Sequence, residues 1–234
     1  MNGTSRRVAW AALPALLTVL LSGCSSDNGD KPGEGPIVDS QGSETALQPA
    51  HDKLVRAVEL RPEDLPGDYG ANQMEDGDLV EGEVTLDMCG ATFPSEDLRT
   101  ARHQVAYLGP GDSISSETVT YEPGGAEQAM GELRDAVAQC PKGFIEGPPT
   151  YKVKISPLPV ESDWQADTIA MRVTFTPKEG RRWRSSGAAI YQRLDDAITA
   201  VYVFAGPETS AELAAGFASL LSERLEVAVA GKAS

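Results

Sequence analysis

Few side chains of this sequence are suited to nucleophilic, redox or metal chemistry. The chain has three cysteines and two histidines, and no two cysteines have the Cys-x-x-Cys spacing of a redox pair. It also lacks the Gly-x-Ser-x-Gly elbow, the glycine-rich phosphate loop and the His-Glu-x-x-His zinc motif. His103 follows Arg99 and Arg102 in a polar segment, which indicates a surface or hydrogen-bonded side chain rather than a catalytic base. We therefore predict no enzymatic activity, no metal and no cofactor.

Acidic residues are abundant, but their spacing selects no site. The 35 acidic and 20 basic side chains give a formal net charge of −15, which argues against a nucleic-acid partner because phosphate binding needs a basic face. The segment Glu75-Asp76-Gly77-Asp78 could hold a calcium ion, although an Asp-Gly pair is more typical of a turn. Carboxylate pairs that could support glycoside hydrolysis arise by chance in so acidic a chain.

One basic cluster, Arg181-Arg182-Trp183-Arg184, stands out against this acidity. Guanidinium groups and an indole together can bind an anionic envelope polymer or a lipid headgroup. Trp164 flanks the same predicted hairpin, so our candidate ligand-binding residues are Trp164, Arg182, Trp183 and Arg184. The alternatives are a charged hairpin edge that prevents strand pairing, and tryptophans that complete a core.

The amino terminus has the parts of a secretory signal peptide. Arg6 and Arg7 precede an apolar stretch over 8–21, and Leu21-Ser22-Gly23-Cys24 follows. This end resembles the lipobox of bacterial lipoproteins, which implies that the Cys24 thiol receives a diacylglycerol and becomes the new amino terminus. The alternative is an ordinary signal peptide with an incidental cysteine, and the Sec and twin-arginine export routes both stay open. We predict a signal peptide over 1–23 and lipidation at Cys24, with fatty acids such as palmitate.

Residues 24–50 are predicted to be the lipidated cysteine and a disordered tether. The segment is rich in Gly, Pro, Ser and acidic residues without hydrophobic periodicity, so burial cannot offset the entropy lost on ordering it. No run of 18 apolar residues occurs, so no ordinary transmembrane helix is expected. The sequence thus predicts a domain over 51–230 that is lipid-anchored to the cell membrane on its extracytoplasmic face.

Two cysteines, Cys89 and Cys140, remain for the domain. In an exported protein they most simply form a disulfide bond. The alternatives are a redox pair and a two-cysteine metal site, and neither has a matching motif. Cys140 ends a predicted amphipathic helix, from which it can reach the end of a predicted strand at Cys89.

Hydrophobic periodicity predicts alternating strands and three main helices. The helices are expected around 54–60, 126–140 and 209–225, with a short helical segment at 94–99. The strands are expected around 80–86, 105–107, 114–121, 151–155, 168–175, 182–194 and 197–204. The last strand is apolar on both faces, so it should be central, and Thr209-Ser210-Ala211-Glu212 is a capping box for the last helix. This order indicates an α+β fold on a mostly antiparallel sheet.

Several of these features together resemble the extracellular sensor-domain family named for the actinobacterial receptor kinase PknH. They are a Leu65-Pro66-Gly67 turn, a cysteine before Arg102-His103-Gln104-Val105, a strand near Ser115, an alanine-rich helix ending in Cys140, and the late strand Val201-Tyr202-Val203-Phe204. The resemblance covers roughly 50–228 and implies an actinobacterial lipoprotein, an α/β sandwich and a cleft for an unidentified ligand. The family often has two disulfides, whereas this chain has cysteines for one.

Two functional hypotheses follow. The first is a non-catalytic ligand-binding or sensor-type module whose cleft takes a small molecule, a lipid or an envelope polymer. The second is a structural or interaction lipoprotein that docks to another envelope protein without a small ligand. An apolar cavity would favour the first, and an exposed apolar patch without a cavity would favour the second.

Overall fold

An eight-stranded antiparallel sheet is the centre of the fold. The computed structural model describes residues 41–72, 74, 76–140, 144–146, 151–177 and 185–232. The strands are β1 (Gly70–Asn72), β2 (Arg99–Leu108), β3 (Ser113–Tyr121), β4 (Phe144–Glu146), β5 (Tyr151–Pro157), β6 (Asp167–Pro177), β7 (Ser185–Leu194) and β8 (Ala197–Ala205). Their order in the sheet is β1-β2-β3-β8-β7-β6-β5-β4. The predicted α+β class and the central position of the strand at 197–204 are confirmed.

Helices pack on both faces of this sheet. The helices are α1 (Gln41–Ala57), α2 (Gly125–Gln139) and α3 (Pro207–Lys232), and short 3-10 helices cover Pro62–Asp64 and Pro94–Leu98. Helices α1 and α3 contact each other and the same sheet face, which we call the α3 face. Helix α2 packs on the opposite face, the α2 face. No helix in the described part of the chain is long and apolar enough to span a membrane.

Alternation along the strands divides the buried residues into two cores. On β8, Val201 and Val203 point into the α3 face, where they pack with Leu221 of α3. Ile198 and Ala200 point into the α2 face instead. A strand that is buried on both faces must be apolar throughout, which explains the continuous apolar run of β8.

The structure corrects one predicted strand and several boundaries. Residues 80–86 form no strand, because Gly82 turns the chain at a φ of 84° and the N–H groups of Thr85 and Leu86 donate to the Glu96 carboxylate rather than to a neighbouring strand. Helix α1 begins at Gln41, within the segment predicted as a tether, and α3 begins at Pro207, before the predicted capping box. Strands β1 and β4 were not predicted, since three residues are too few to show a periodicity.

An ion pair joins α3 to the short 3-10 helix Pro62–Asp64. Arg224 of α3 donates two hydrogen bonds to the Asp64 carboxylate, at 2.7 and 2.8 Å, and a third to the carbonyl oxygen of Glu59 at 2.6 Å. The side chains of Arg224 and Asp64 are only 18% and 10% exposed. Burial raises the pKa of Asp64, but the hydrogen bonds from Arg224 and from the Arg61 N–H outweigh it, so that this pKa lies below its ordinary value.

Replacing Arg224 by methionine is expected to lower the free energy of unfolding at pH 7 by about 2 kcal/mol. Because the pKa of Asp64 is lower in the folded state, its contribution is present above the unfolded pKa of about 4 and is lost as the pH falls through the folded pKa. The difference between the wild type and Arg224→Met should therefore shrink below about pH 4.

Urea unfolding at pH 7 and at pH 3 measures both effects. Arg56→Met is the matched control, because it removes a pair with Asp78 in which both side chains are more than half exposed. We expect it to change the free energy of unfolding by less than about 1 kcal/mol. Equal losses in the two variants would contradict the structural role of the Arg224 pair.

Candidate functional site

Helix α2 covers only one end of its sheet face. It packs Met130 and Leu133 in the same core as Val119 and Tyr121, the last hydrophobic residues of β3 on this face. Beyond the helix lies an open cleft of about 280 Å³. Its floor is formed by β3, β8, β7, β6 and β5, and its wall by the irregular segment 84–88. The segment 80–86, which the sequence predicted as a strand, is thus irregular, and its last residues form part of the cleft wall.

The centre of the floor consists of two aromatic pairs. The rings of Phe175 and Phe204 lie 5.8 Å apart between centroids, and those of Tyr191 and Tyr202 lie 5.6 Å apart in an edge-to-face arrangement. Phe175, Tyr202 and Phe204 are only half-buried. A Cβ on Gly187 would overlap the Phe204 ring, so glycine at this position leaves room for the ring beside the strand. The floor therefore offers apolar surface to a bound molecule.

The cleft is polar at one end and apolar at the other. Gln104 and Glu117 contribute polar side chains from β2 and β3, which form one side of the sheet. Val153 and Val173 lie on β5 and β6, on the far side of the aromatic pairs. Because adjacent strands are ~4.8 Å apart, the distance from β3 to β6 is roughly 14 Å. The cleft can therefore orient a ligand that has one polar end.

A buried ion pair forms the base of the polar end. Glu117 is 3% exposed and accepts hydrogen bonds at Oε1 from Arg102 Nε at 2.6 Å and from the Thr85 hydroxyl at 2.9 Å. Burial raises the pKa of the Glu117 carboxyl, and the Arg102 guanidinium opposes that rise. Burial also raises the pKa of the Tyr191 hydroxyl, and the charges of nearby carboxylates, Glu117 first among them, add to the rise. The tyrosine is therefore a neutral hydrogen-bonding group at physiological pH.

Two arginines hold the cleft wall in place. Arg102 Nη1 donates to the carbonyl oxygen of Asp76 at 2.9 Å. Arg99 Nη2 donates to the carbonyl oxygens of Val80 and Glu83, at 2.8 and 2.6 Å. These bonds satisfy backbone groups that a β-ladder would otherwise satisfy, so side chains of β2 replace strand pairing in this segment.

A disulfide bond fixes the end of the same wall. Cys89 is bonded to Cys140, and their Cα atoms are 5.4 Å apart. The predicted pairing is confirmed. Cys140 follows the last residue of α2, so the bond ties segment 84–88 to the helix that bounds the cleft.

His103 lies at a second hollow, of about 550 Å³, beside β1 and β2. Its Nε2 lies 2.6 Å from Glu59 and its Nδ1 lies 2.5 Å from Asp78. Burial raises the pKa of Asp78, but hydrogen bonds from His103 and Arg56 lower it further than burial raises it. Both ring nitrogens contact carboxylates, so neither is available to activate a nucleophile. The predicted hydrogen-bonded histidine is confirmed.

The candidate site residues from the sequence do not line the cleft where the structure describes them. Trp164 is buried on the α3 face, where its Nε1 donates to the Ser219 hydroxyl at 3.1 Å, so it completes a core. Arg182, Trp183 and Arg184 lie outside the described residues, as does Cys24. Asp195 and Asp196 form the turn between β7 and β8. In the segment predicted as either a turn or a calcium loop, Asp76 and Asp78 form a turn, and Glu75 lies outside the described residues.

The residues of the cleft were missed by sequence reasoning. Glu117 lies inside a predicted strand, and Arg102 lies just before another, which together are a signal for a buried ion pair across neighbouring strands. The aromatic residues gave no signal, because each also fits a strand of an ordinary core.

Comparison with known proteins supports the fold. No family model matches the chain, and no curated protein sequence matches it. Among solved structures, the chain is similar to the extracellular domain of PknH from Mycobacterium tuberculosis, with a TM-score of 0.52 and 12% sequence identity. The match covers 75% of this chain and 96% of that domain. The fold is therefore PknH-like, in agreement with the resemblance seen in the sequence.

Proposed function

We propose that this chain is a lipid-anchored, extracytoplasmic ligand-binding module of the sensor type, without catalytic activity. The observation that carries the proposal is the open cleft on the α2 face, with its half-buried aromatic floor and its polar end. A concave, mostly apolar surface with a few convergent polar groups is the usual form of a small-molecule site. The fold shared with an extracellular domain supports a position outside the cytoplasm.

The cleft favours a ligand over a protein partner. A docking lipoprotein without a ligand would present an exposed apolar patch and no cavity, whereas here the aromatic residues lie inside a hollow. The proposed partners are thus a small molecule, a lipid or one end of an envelope polymer, with the membrane contacted through the diacylglycerol on Cys24. The resemblance to the PknH family supports an actinobacterial source.

Replacing Cys24 by serine is expected to move the protein from the membrane fraction to the soluble fraction. Serine has no thiol to receive the diacylglycerol, and two or more acyl chains are what make such an anchor stable. Fractionation and intact-mass measurement in an actinobacterial host test this, with the wild type exported by its own leader and the variant exported as residues 24–234 behind an ordinary signal peptide, so that its leader is still removed. A variant that stays on the membrane, or a wild type without the mass of acyl chains, would show that the anchor is wrongly assigned.

A phenylalanine at Ser115 is expected to fill the cleft and abolish ligand binding. Ser115 is partly exposed and points into the cleft from β3, so the larger ring occupies open space rather than a packed core. Thr174→Phe is the matched control, because Thr174 lies on the opposite face of β6 and is also partly exposed.

Native mass spectrometry measures the outcome. Each variant is exported as residues 24–234 with Cys24→Ser, behind an ordinary signal peptide, and is never denatured or exposed to detergent. We expect an added mass that solvent extraction removes, present in the Thr174→Phe protein and absent from Ser115→Phe. If every variant shows only the mass of the protein without an added ligand, across several growth conditions, the result would contradict the proposed function.

A further inference from the structure

At the polar end of the cleft, one oxygen of the Glu117 carboxylate has no hydrogen-bond donor among the residues that the structure describes. Oε1 of Glu117 accepts the hydrogen bonds from Arg102 and Thr85. Oε2 accepts none from any residue that the structure describes, although Glu117 lines the cleft and is 3% exposed. Oε2 is not among the buried side-chain atoms of the described residues that lack a partner, so it is open to the cleft as a charged hydrogen-bond acceptor. A ligand that donates hydrogen bonds would complete this carboxylate.

The charge of the cleft is negative. Asp87 and Glu117 line it, and no lysine or arginine occurs among its described lining residues. Arg102 lies behind Glu117, and its guanidinium is engaged by Glu117, by the Gln104 side chain and by carbonyl oxygens of the wall. The whole chain has a formal net charge of −15, which raises the local concentration of cations and repels anions.

The aromatic rings lie beside these carboxylates. Tyr202 and Phe204 are on β8, which pairs with β3, Tyr191 is on β7, and Phe175 on β6 extends the floor toward β5. Aromatic faces attract a cation, most strongly where water is excluded, and they also pack against alkyl groups. The same floor can therefore contact both a positive head and the start of an apolar chain.

The size of the cleft limits the ligand. Its volume of about 280 Å³ lies just below the range of ligand pockets, which begins at about 300 Å³. Its polar and apolar ends are roughly 14 Å apart, counted as three strand spacings. Half-exposed Val84 forms an apolar part of the wall along this length. A single short chain with one polar end fits these dimensions.

We infer that the cleft binds an alkylammonium-type amphiphile, with the ammonium group at Glu117 and Asp87 and the apolar chain across the aromatic floor. The inference rests on the proposed function, since it names the ligand class of the same cleft. The ammonium donates to Glu117 Oε2 and neutralises the excess negative charge of the polar end. The chain then covers Phe175 and Phe204 and reaches Val153 and Val173.

Titration calorimetry with three probes of equal chain length tests the ligand class. The protein is the Cys24→Ser chain described above, and the probes are octylammonium, octanol and octanoate. Octylammonium is expected to bind about tenfold tighter than octanol, the ratio that one charge-assisted contact supplies. Octanoate should show no binding, because its carboxylate meets those of Asp87 and Glu117.

A variant at the rim separates charge from shape. Asp87 is exposed and makes no hydrogen bond with the described residues, so Asp87→Asn should fold as the wild type does. We expect it to weaken octylammonium binding about threefold to tenfold and to leave octanol unchanged. Asp163→Asn, in an exposed turn away from the cleft, removes the same overall charge and should have no effect.

The outcomes separate the ligand class from the proposed function. If octanol or octanoate binds as tightly as octylammonium and Ser115→Phe abolishes that binding, the ammonium inference is overturned, while the cleft is still a ligand-binding site. The absence of saturable binding by every probe would overturn the ligand class, and the native mass measurement then decides the proposed function separately. Binding that persists in Ser115→Phe would show that the cleft is not the site and would contradict both.

Discussion

Replacing Arg102 by methionine is expected to lower the free energy of unfolding by about 3–5 kcal/mol, the largest effect of any single substitution proposed for this protein. The variant leaves Glu117 buried at 3% exposure without its counter-charge. It also removes the donors to the carbonyl oxygens of Asp76 and Gly77, which hold the segment leading into the cleft wall. Urea unfolding at pH 7 measures the loss, and the cleft should lose octylammonium affinity in the same variant.

The double variant Arg102→Met with Glu117→Met separates the two causes. Removing both charges relieves the uncompensated carboxylate, so the double variant should be more stable than Arg102→Met alone. It should stay below the wild type, because the wall carbonyl groups still lack donors. Arg134→Met is the control for an arginine whose side chain is 48% exposed, and its effect should be under about 1 kcal/mol. A double variant less stable than both single variants would contradict the burial argument.

Removing the disulfide bond with Cys89→Ser and Cys140→Ser is expected to lower the free energy of unfolding by roughly 4 kcal/mol. The bond closes a loop between cysteines separated by 51 positions, and this restricts the unfolded chain. Because Cys89 ends the cleft wall and Cys140 ends α2, the variant should also bind cleft ligands more weakly.

Reductant supplies the control for the disulfide prediction. The wild type in reductant should unfold at the same urea concentration as the double cysteine variant, and reductant should not change that variant further. Urea unfolding followed by tryptophan fluorescence reports both, since Trp164 is buried in the α3-face core. If reductant leaves the wild-type midpoint unchanged, the bond does not contribute to stability as proposed.

The elements that sequence reasoning predicted correctly are those with a repeating pattern. Helix α2 has buried residues at the helical spacing of Ala126, Met130 and Leu133, and β8 has a continuous apolar run. The pattern of hydrophobic residues is therefore enough to predict both elements. The segment 80–86 also alternates between apolar and other residues, yet it forms a wall. Its partners are Glu96 and the guanidinium of Arg99, and a pattern of hydrophobicity does not reveal side-chain donors from elsewhere.

The candidate site was harder to predict because it depends on strand register. Glu117 meets Arg102 only because β2 and β3 pair with Gln104 opposite Glu117. The aromatic floor depends further on the pairing of β3 with β8 and of β8 with β7. The basic cluster at 181–184 lies outside the described residues, so its proposed role stays a prediction, whereas composition gives no signal for Glu117, which lies among the threonines and serines of β3.

The strand order has a consequence for how the molecule is made. From β5 to β8, each strand pairs with the next strand in the chain. Strand β3, in contrast, pairs with the distant β8, with Thr120 opposite Ala197 and Ser113 opposite Phe204. Such distant pairings are the slow steps of folding, because the chain loses the entropy of closing a long loop before any stabilising contact forms. In chain order both Cys89 and Cys140 come before β8. The covalent link can thus form on an unfinished chain, while the cleft comes into being only when the last strand inserts between β3 and β7.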